Sequence, residues 1–283
     1  MNIGYEEELQ HAIFIDLDGT LCVTGTEPSF LTREAVRKAR RAGNKVFLCT
    51  GRAPSVVPQK IRDMKWDGMI LGLGAYIETE GQIRKSLPYS YTEILDLGRY
   101  LDSLGIVYML EGRESVFMDL VKYGRLGIEK QKGINQEMED LKEMVARHAI
   151  TDISQYRGES IYNIVLLSAV DNRLQLVREK LSGKYRIAVH PAVGDNVITD
   201  VEVIRKDVNK GEALKFVCEQ YKIPLSQSVA FGDSMNDHDM IVAAGLGVVM
   251  GNGDDEIKAC ADMVCGTVEE DGLYYSFEQL GLL

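Results

Sequence analysis

Short apolar runs that end in polar or glycine residues recur near both ends of the chain. Their length and lack of polar alternation are typical of strands buried on both faces of a sheet. These runs occupy residues 12–15, 45–49, 68–71, 228–231 and 247–250. Helices are predicted between Thr32 as N-cap and Gly43 as stop, over 210–221, and over 236–244 before Gly245. Alternating strands and helices predict an α/β fold with a doubly wound, mostly parallel sheet and right-handed crossovers.

The segment between these two groups of runs is too long to be a loop. It has its own pattern of helical and alternating apolar positions. The predicted order is a helix at 91–104, strands at 107–110 and 115–118, a helix at 135–148, a strand at 161–167, a helix at 172–181, and strands at 185–190 and 197–204. We therefore predict a core of residues 1–85 and 205–283 with an inserted α/β domain of residues 86–204.

Asp16 and Asp18 stand one residue apart directly after the first apolar run. Ligands of an open α/β sheet bind at the carboxyl ends of its strands, so both carboxylates are candidates for ligand binding. Two acids this close repel each other unless a proton or a cation is shared, and Mg²⁺ suits carboxylate oxygens while leaving positions for water and phosphate. A calcium loop is the alternative, but with Gly19 aligned to the loop's glycine no acidic ligand follows at the ninth or twelfth position.

Asp16-Leu-Asp-Gly-Thr-Leu21 resembles the first motif of the haloacid dehalogenase superfamily of phosphohydrolases. Thr50-Gly51-Arg52, Lys210-Gly211 and Gly232-Asp-Ser-Met-Asn-Asp237 match the second, third and fourth motifs in the required order. The resemblance spans almost the whole chain and implies a Rossmann-like core. The middle segment resembles the large C2-type α/β cap of the Cof-type branch, which closes over the active site and selects the substrate. Leu73-Gly74-Ala75 departs from the Asn-Gly-Ala common in that branch, which puts substrate or cap contacts in doubt.

The motif residues combine into a mechanism for cleaving a phosphate monoester. We assign Asp16 as the nucleophile, because an aspartyl-phosphate would divide hydrolysis into two easier steps. Asp18 is assigned as the general acid for the departing alkoxide and as the general base for the water that follows. Mg²⁺ would be held by Asp16, the backbone carbonyl of Asp18 and Asp233, with Asp237 as an outer or additional ligand.

Donors and positive charge for the phosphate are expected from the remaining motif residues. Thr50 and Gly51 offer a hydroxyl and backbone N–H groups at a strand end, and Lys210 adds charge at a helix start, where free N–H groups favour an anion. Asn236 can donate to phosphate or to the nucleophile. Arg52 can bind phosphate, but a solvated or ion-paired structural role is about equally compatible with its position.

Asp18 also separates the reactions of the superfamily. Dehalogenases similar to this family lack an aspartate two residues after the nucleophile, so we favour a phosphatase of a small phosphorylated metabolite, such as a sugar phosphate or a cofactor phosphate. A sugar phosphomutase of the same superfamily stays an alternative. A non-catalytic sensor of such a metabolite is disfavoured, because binding alone needs no nucleophile beside a proton donor. Cap residues that could contact substrate, or equally form solvated surface, are Glu111, Arg113, Lys122, Tyr123 and Arg125.

Composition adds bounds to this interpretation. The 283 residues are 45% hydrophobic and 27% charged, and the formal net charge of −11 argues against a nucleic-acid partner. The acidic N-terminus lacks the apolar core of a signal peptide, and no apolar run approaches membrane-spanning length. The five cysteines show no paired spacing, and the four histidines show no metal-ligand spacing. We expect reduced thiols in a cytoplasmic protein that is a monomer or a weak homodimer.

Overall fold

The computed structural model describes residues 10–128, 136–146, 149–169, 172–189 and 198–283. The described residues form two compact units. One lies within Met1–Thr50, Gln59–Gln82 and Asn209–Leu283, and the other within Gly51–Pro58 and Ile83–Val208. The interpretation of the second unit as a substrate-selecting cap stays a prediction.

The described part of the chain contains both strands and helices. The strands are β1 Ala12–Ile15, β2 Lys45–Cys49, β3 Gly68–Leu71, β4 Tyr76–Thr79, β5 Gln82–Ser86, β6 Val107–Gly112, β7 Val116–Met118, β8 Ile150–Asp152, β9 Ile161–Ala169, β10 Tyr185–Val189, β11 Ile198–Arg205, β12 Ser228–Gly232, β13 Leu246–Val249 and β14 Met263–Val264. The helices are α1 Phe30–Arg41, α2 Gln59–Arg62, α3 Tyr91–Ser103, α4 Leu120–Leu126, α5 Gln136–Ala146, α6 Asn172–Leu181, α7 Lys210–Tyr221, α8 His238–Ala243, α9 Asp255–Lys258 and α10 Gly272–Gln279.

The first unit is built on a sheet in which its strands, within the described residues, have the order β14-β13-β12-β1-β2-β3-β4. Pairing is parallel from β14 to β3 and turns antiparallel between β3 and β4. The central strand β1 is buried on both faces and lies between β12 and β2. The parallel pairing brings the carboxyl ends of these three strands to one edge, and the predicted α/β class is confirmed.

Helices cover both faces of this sheet. Ala230 of β12 belongs to a hydrophobic cluster with residues of α7 and α8, including Leu214 and Met240. The next residue along the strand, Phe231, contacts Phe277 of α10 with 5.1 Å between the ring centroids. Consecutive strand residues point to opposite faces, so α7 and α10 lie on opposite sides of the sheet. This is the doubly wound arrangement that the sequence predicts.

Two helix starts differ from their prediction. The N-cap of α1 is Ser29 rather than Thr32, because the Ser29 hydroxyl accepts a hydrogen bond from the Thr32 N–H at 3.0 Å. The helix predicted over 236–244 begins with a 3₁₀ turn at Met235–Asp237, and α8 follows. The Asp237 carboxylate accepts hydrogen bonds from the backbone N–H groups of Asp233 and Ser234, just before this turn. These hydrogen bonds favour the tighter 3₁₀ geometry at the helix start.

The second unit contains a sheet of order β10-β11-β9-β6-β7-β8 among the described residues. Consecutive residues of β6 belong to different hydrophobic clusters. Tyr108 packs with residues of α3 and α6, and Met109 packs with residues of α4 and α5. The predicted hairpin of β6 and β7 is present in antiparallel register. The predicted element ends at residues 135, 148, 190 and 197 lie outside the described residues.

All five cysteines lie in the described residues and none is in a disulfide. Cys22, Cys49 and Cys218 are buried, and burial raises the pKa of the Cys49 and Cys218 thiols, which makes them poor nucleophiles. Among the described helices, none is both long enough and apolar enough to cross a membrane.

Candidate active site

Asp16 extends strand β1 by one hydrogen bond. Its backbone N–H donates to the Phe231 carbonyl oxygen of β12 at 3.0 Å, which continues the parallel ladder. The strand therefore fixes the Asp16 backbone at the carboxyl edge of the sheet, and the residue is only 3% exposed. A carboxylate this deeply buried requires hydrogen bonds or opposite charge nearby.

The turn after Asp16 packs directly against Asp233. Gly19 has a φ of +83°, and a Cβ at this position would lie 2.2 Å from Asp233 Oδ2. Only glycine fits both the left-handed backbone and the close approach. The hydroxyl of the buried Thr20 donates to Asp233 Oδ1 at 2.8 Å. Asp18 is half-buried and forms an isolated backbone bridge with Cys22.

Lys210 opens helix α7 and is fully buried. Its Nζ contacts Asp16 Oδ1 at 2.6 Å, Asp237 Oδ1 at 2.5 Å and Asn236 Oδ1 at 3.0 Å. These contacts use the three donors of the ammonium group. The next residue, Gly211, lies so close to α8 that a Cβ would be 2.3 Å from the Asp239 carbonyl oxygen. The close helix packing therefore places Lys210 among the carboxylates.

Asp233 and Asp237 follow strand β12. The Oδ2 atom of Asp237 accepts hydrogen bonds from the backbone N–H groups of Asp233 at 3.0 Å and Ser234 at 3.2 Å. The Asp237 carboxylate therefore binds both this loop and the Lys210 ammonium. One carboxylate oxygen from each of Asp16, Asp233 and Asp237 lies within 4.8 Å of the others. The structure thus brings together four predicted site residues with Asn236 beside them.

The site carries an excess of negative charge. Burial raises the pKa of Asp16 well above its usual value; Asp237 adds to the rise, and Lys210 opposes it. Burial, followed by the charge of Asp237, raises the pKa of Asp233 to about 7. For Lys210, burial lowers the pKa, but the charges of Asp16 and Asp237 outweigh burial and hold it above its usual value. The lysine therefore stays charged, and the carboxylates favour a second cation or a proton.

Mg²⁺ fits this set of donors. Three carboxylates against one ammonium leave net negative charge, and hard oxygen ligands are the ones that Mg²⁺ prefers. Asp16 and Asp233, with the backbone carbonyl of Asp18, are the residues that would hold it. Both oxygens of Asp237 already accept hydrogen bonds from protein groups, which favours an outer role for this residue over direct coordination.

Thr50 is buried directly after β2, the strand beside β1. Its N–H donates to the Ile70 carbonyl at 2.9 Å, and its carbonyl accepts from the Leu73 N–H at 3.2 Å. Leu73 has a φ of +56°, a conformation in which leucine is strained and asparagine is better tolerated. A Cβ on the following Gly74 would lie 2.9 Å from the Asn209 carbonyl oxygen, so this turn packs against the start of α7.

Gly51 and Arg52 belong to the second unit. Arg52 pairs with Asp140 of α5 at 3.7 Å, and its Nη1 donates to the Val56 carbonyl at 3.5 Å. The structure therefore shows Arg52 in the ion-paired role that the sequence left open. Its binding to phosphate stays a prediction.

The five candidate cap residues lie in different settings. Glu111 is buried beside Asn163, whose Nδ2 donates to Glu111 Oε2 at 3.1 Å, and burial followed by Glu202 raises the Glu111 pKa to about 7. Lys122 pairs with Asp102 at 2.5 Å. Tyr123 is buried in the hydrophobic cluster with α5, so the solvated-surface interpretation is wrong for it, and its contact with substrate stays a prediction. The remaining two, Arg113 and Arg125, are exposed.

Thr20 and Asn252 also lie at the site, and neither has a role predicted from the sequence. Thr20 lies inside the first motif, so its position there was the available signal. Asn252 donates from Nδ2 to the Gly19 carbonyl oxygen at 2.8 Å. The sequence signal for Asn252 was its place in Gly251-Asn252-Gly253 after a predicted strand. Such a sequence usually indicates a simple turn.

Comparison with known proteins gives one consistent result. A family model for haloacid dehalogenase-like hydrolases matches residues 13–277. Phosphatase YwpJ of Bacillus subtilis is 27% identical over 95% of this chain and 99% of its own. The 5-amino-6-(5-phospho-D-ribitylamino)uracil phosphatase YwtE of B. subtilis is 28% identical over 95% of this chain and 97% of its own.

A solved structure of a hypothetical protein from Geobacillus kaustophilus superposes with a TM-score of 0.80 at 26% identity, over 97% of this chain and 100% of that chain. The resemblance, the fold class and the prediction of a phosphatase-type hydrolase are confirmed by these matches. The chain belongs to the family of haloacid dehalogenase-like hydrolases.

Proposed function

We propose that this protein is a Mg²⁺-dependent phosphatase that hydrolyses a small phosphorylated metabolite through an aspartyl-phosphate at Asp16. The observation that carries the proposal is the buried Lys210 ammonium, which contacts both Asp16 and Asp237 while Asp233 lies beside them. A simple binding pocket for an anion would not need three carboxylates, two of them buried, beside its lysine. A site that attacks a phosphoryl group and binds a cation needs them.

In the first step, an oxygen of the Asp16 carboxylate attacks phosphorus and the bond to the leaving oxygen breaks. Lys210 binds Asp16 Oδ1, which orients the carboxylate and leaves its other oxygen for attack. Asp18 gives its proton to the leaving alkoxide. In the second step, Asp18 takes a proton from water, the water oxygen attacks the aspartyl-phosphate, and inorganic phosphate leaves.

Bound Mg²⁺ would supply positive charge for the non-bridging phosphate oxygens. The chain's own residues share this task. Lys210 supplies charge, and Thr50, Gly51, Arg52 and Asn236 are the candidate donors to phosphate. The raised pKa of Asp16 in the metal-free site implies that cation binding keeps this carboxylate ionised and nucleophilic.

The substrate is proposed to be a sugar phosphate or a cofactor phosphate, with residues 86–204 as the unit that selects it. The names of YwpJ and YwtE support a phosphatase over a phosphomutase or a sensor, and that of YwtE includes a phosphorylated ribityl group. We further propose a cytoplasmic protein, monomeric or weakly dimeric, without a nucleic-acid partner.

The test is a phosphate-release screen over sugar phosphates, nucleotides and cofactor phosphates, with Mg²⁺ and with a chelator. We expect release that depends on Mg²⁺. Borohydride quenching during turnover should convert the aspartyl-phosphate to homoserine at position 16, which mass spectrometry of the digested chain would locate. Isomerised substrate without phosphate release would instead identify a mutase, and binding without either product would identify a sensor.

A further inference from the structure

The turn after β13 packs directly against the acidic site. Residues 250–253 follow β13, the neighbour of β12 in the sheet. The Met250 N–H donates to the Gly232 carbonyl at 2.9 Å, and the Gly253 N–H donates to the Met250 carbonyl at 2.9 Å. A Cβ on Gly253 would lie 2.7 Å from the carbonyl oxygen of Asp233. The turn is therefore built against the backbone of a predicted metal ligand.

Asn252 uses both ends of its side-chain amide. Its Oδ1 accepts from the Val268 N–H at 2.9 Å, and its Nδ2 donates to the Gly19 carbonyl oxygen at 2.8 Å. Because an N–H group can only donate and a carbonyl can only accept, these partners fix the orientation of the amide. The segment on the Val268 side is also close-packed, since a Cβ on Gly251 would lie 2.9 Å from the Cys265 carbonyl oxygen. Asn252 thus projects from a well-supported turn.

The Gly19 carbonyl lies in the turn of the first motif, between Asp18 and the buried Thr20. Gly19 follows Asp18 and touches Asp233, and its left-handed φ is one of several backbone conformations that glycine adopts at little cost. Its N–H donates to the Cys22 carbonyl at 2.8 Å, and Asn252 holds its carbonyl. With both sides of the residue hydrogen-bonded, the adjoining Asp18 has a fixed position relative to Asp233.

We propose that Asn252 is a positioning residue for the cation site. By donating to the Gly19 carbonyl, it holds the turn that carries the Asp18 carbonyl and carboxyl against Asp233. Partners that orient metal ligands commonly change metal affinity when they are removed. The inference rests on the proposed function, because it requires that the acidic cluster binds Mg²⁺.

The test uses the full chain and measures Mg²⁺ binding by titration calorimetry with the metal alone. Asn252→Ala removes both hydrogen bonds. Asn252→Asp keeps an acceptor for the Val268 N–H but loses the donor to Gly19. Gln59 supplies matched controls, because it is also exposed and its amide donates to a side chain, Asp63 Oδ1, at 2.8 Å. Gln59→Ala removes an amide, and Gln59→Glu replaces an amide with a negative charge, at a position in the same unit as Asn252.

We expect both Asn252 variants to bind Mg²⁺ about tenfold more weakly than wild type, with the Gln59 variants unchanged. The Asn252→Asp result is the sharper one, because its added negative charge alone would strengthen cation binding, and only loss of positioning weakens it. Asn252 is exposed, so thermal unfolding without metal should stay near wild type.

Wild-type affinity in both Asn252 variants, or tighter binding by Asn252→Asp, would overturn the positioning role while leaving the proposed function standing. A wild-type protein that binds no Mg²⁺ would overturn both.

Discussion

Lys210 and Asp237 form an ion pair in which both side chains are fully buried, with 2.5 Å between Nζ and Oδ1. Removing two charges from water is costly, and their attraction offsets that cost only when further hydrogen bonds satisfy the remaining groups. Here the ammonium also binds Asp16 and Asn236, and Asp237 also accepts two backbone N–H groups. The pair is therefore one part of a network that connects the loop after β12 with the start of α7.

Breaking this network should destabilise the metal-free protein strongly. Lys210→Met leaves Asp16 and Asp237 buried without their cation, and we expect the free energy of unfolding at neutral pH to fall by about 3–5 kcal/mol. Urea denaturation with a chelator present measures it. Lys215→Met is the matched control, because Lys215 lies on the same helix in a half-exposed pair with Glu212 and should change stability by less than about 1 kcal/mol. Equal effects of the two substitutions would contradict the network.

A second prediction separates nucleophile from proton donor. Asp16→Asn should reduce turnover of every phosphate ester by at least about 10³-fold, because the amide cannot accept the phosphoryl group. Asp18→Asn should slow alkyl esters far more than an aryl ester, since an activated phenolate needs little protonation to leave. Steady-state rates on one sugar phosphate and one aryl phosphate measure both, with Asp63→Asn, an exposed position, as control. Equal losses on both esters in Asp18→Asn would indicate a mainly structural or metal-holding role.

The sequence predicted much of this site because the motif residues directly follow apolar strands such as β1 and β12. It could not show that Lys210 contacts Asp16, since 194 residues separate them and the contact depends on how α7 packs. The same holds for Asn252 and Gly19, which are 233 residues apart. Chemistry that resides in one short segment is visible in sequence, whereas hydrogen bonds between distant turns follow from tertiary packing.

The fold shows a similar limit. The hairpin of β4 and β5 was not predicted, because β5 is mostly exposed and lacks an apolar face. Its turn is Glu80-Gly81, with both residues at positive φ, rather than the Asn-Gly pair that most strongly indicates such a turn. The buried strands were predicted because continuous apolar runs mark them.

The Asp233 carboxyl should couple Mg²⁺ binding to protons. Its pKa in the metal-free fold is raised from 3.8 to about 7. Between pH 3.8 and about pH 7, Asp233 therefore holds a proton in the folded state but not in the unfolded state. The stability contributed by this proton is present at low pH and is lost as pH rises through about 7. Mg²⁺ must displace the proton, so its affinity should increase as pH rises through the same range.

Titration calorimetry in two buffers with different ionisation enthalpies measures the proton released per Mg²⁺. We expect release near pH 6 that decreases by about pH 8, where Asp233 is already ionised. Glu111→Gln is the control, because the Glu111 pKa is also about 7 but this residue belongs to the second unit. Its substitution should alter pH-dependent stability without altering proton release on Mg²⁺ binding. Affinity independent of pH in the wild type would show that no displaceable proton resides at the cation site.

The last prediction concerns substrate preference. If residues 86–204 select the substrate, exchange of this unit should change which substrate is preferred while the Mg²⁺ requirement and the Asp16 dependence remain. The exchange would replace residues 87–203 with the corresponding segment of a relative of different preference, after circular dichroism and thermal unfolding confirm that the chimera folds. The quantity to measure is the ratio of kcat/KM values for two substrates, since differences in transition-state binding set specificity. A chimera that keeps this protein's ratio would place discrimination in the first unit, with the strained Leu73 turn as the first position to vary.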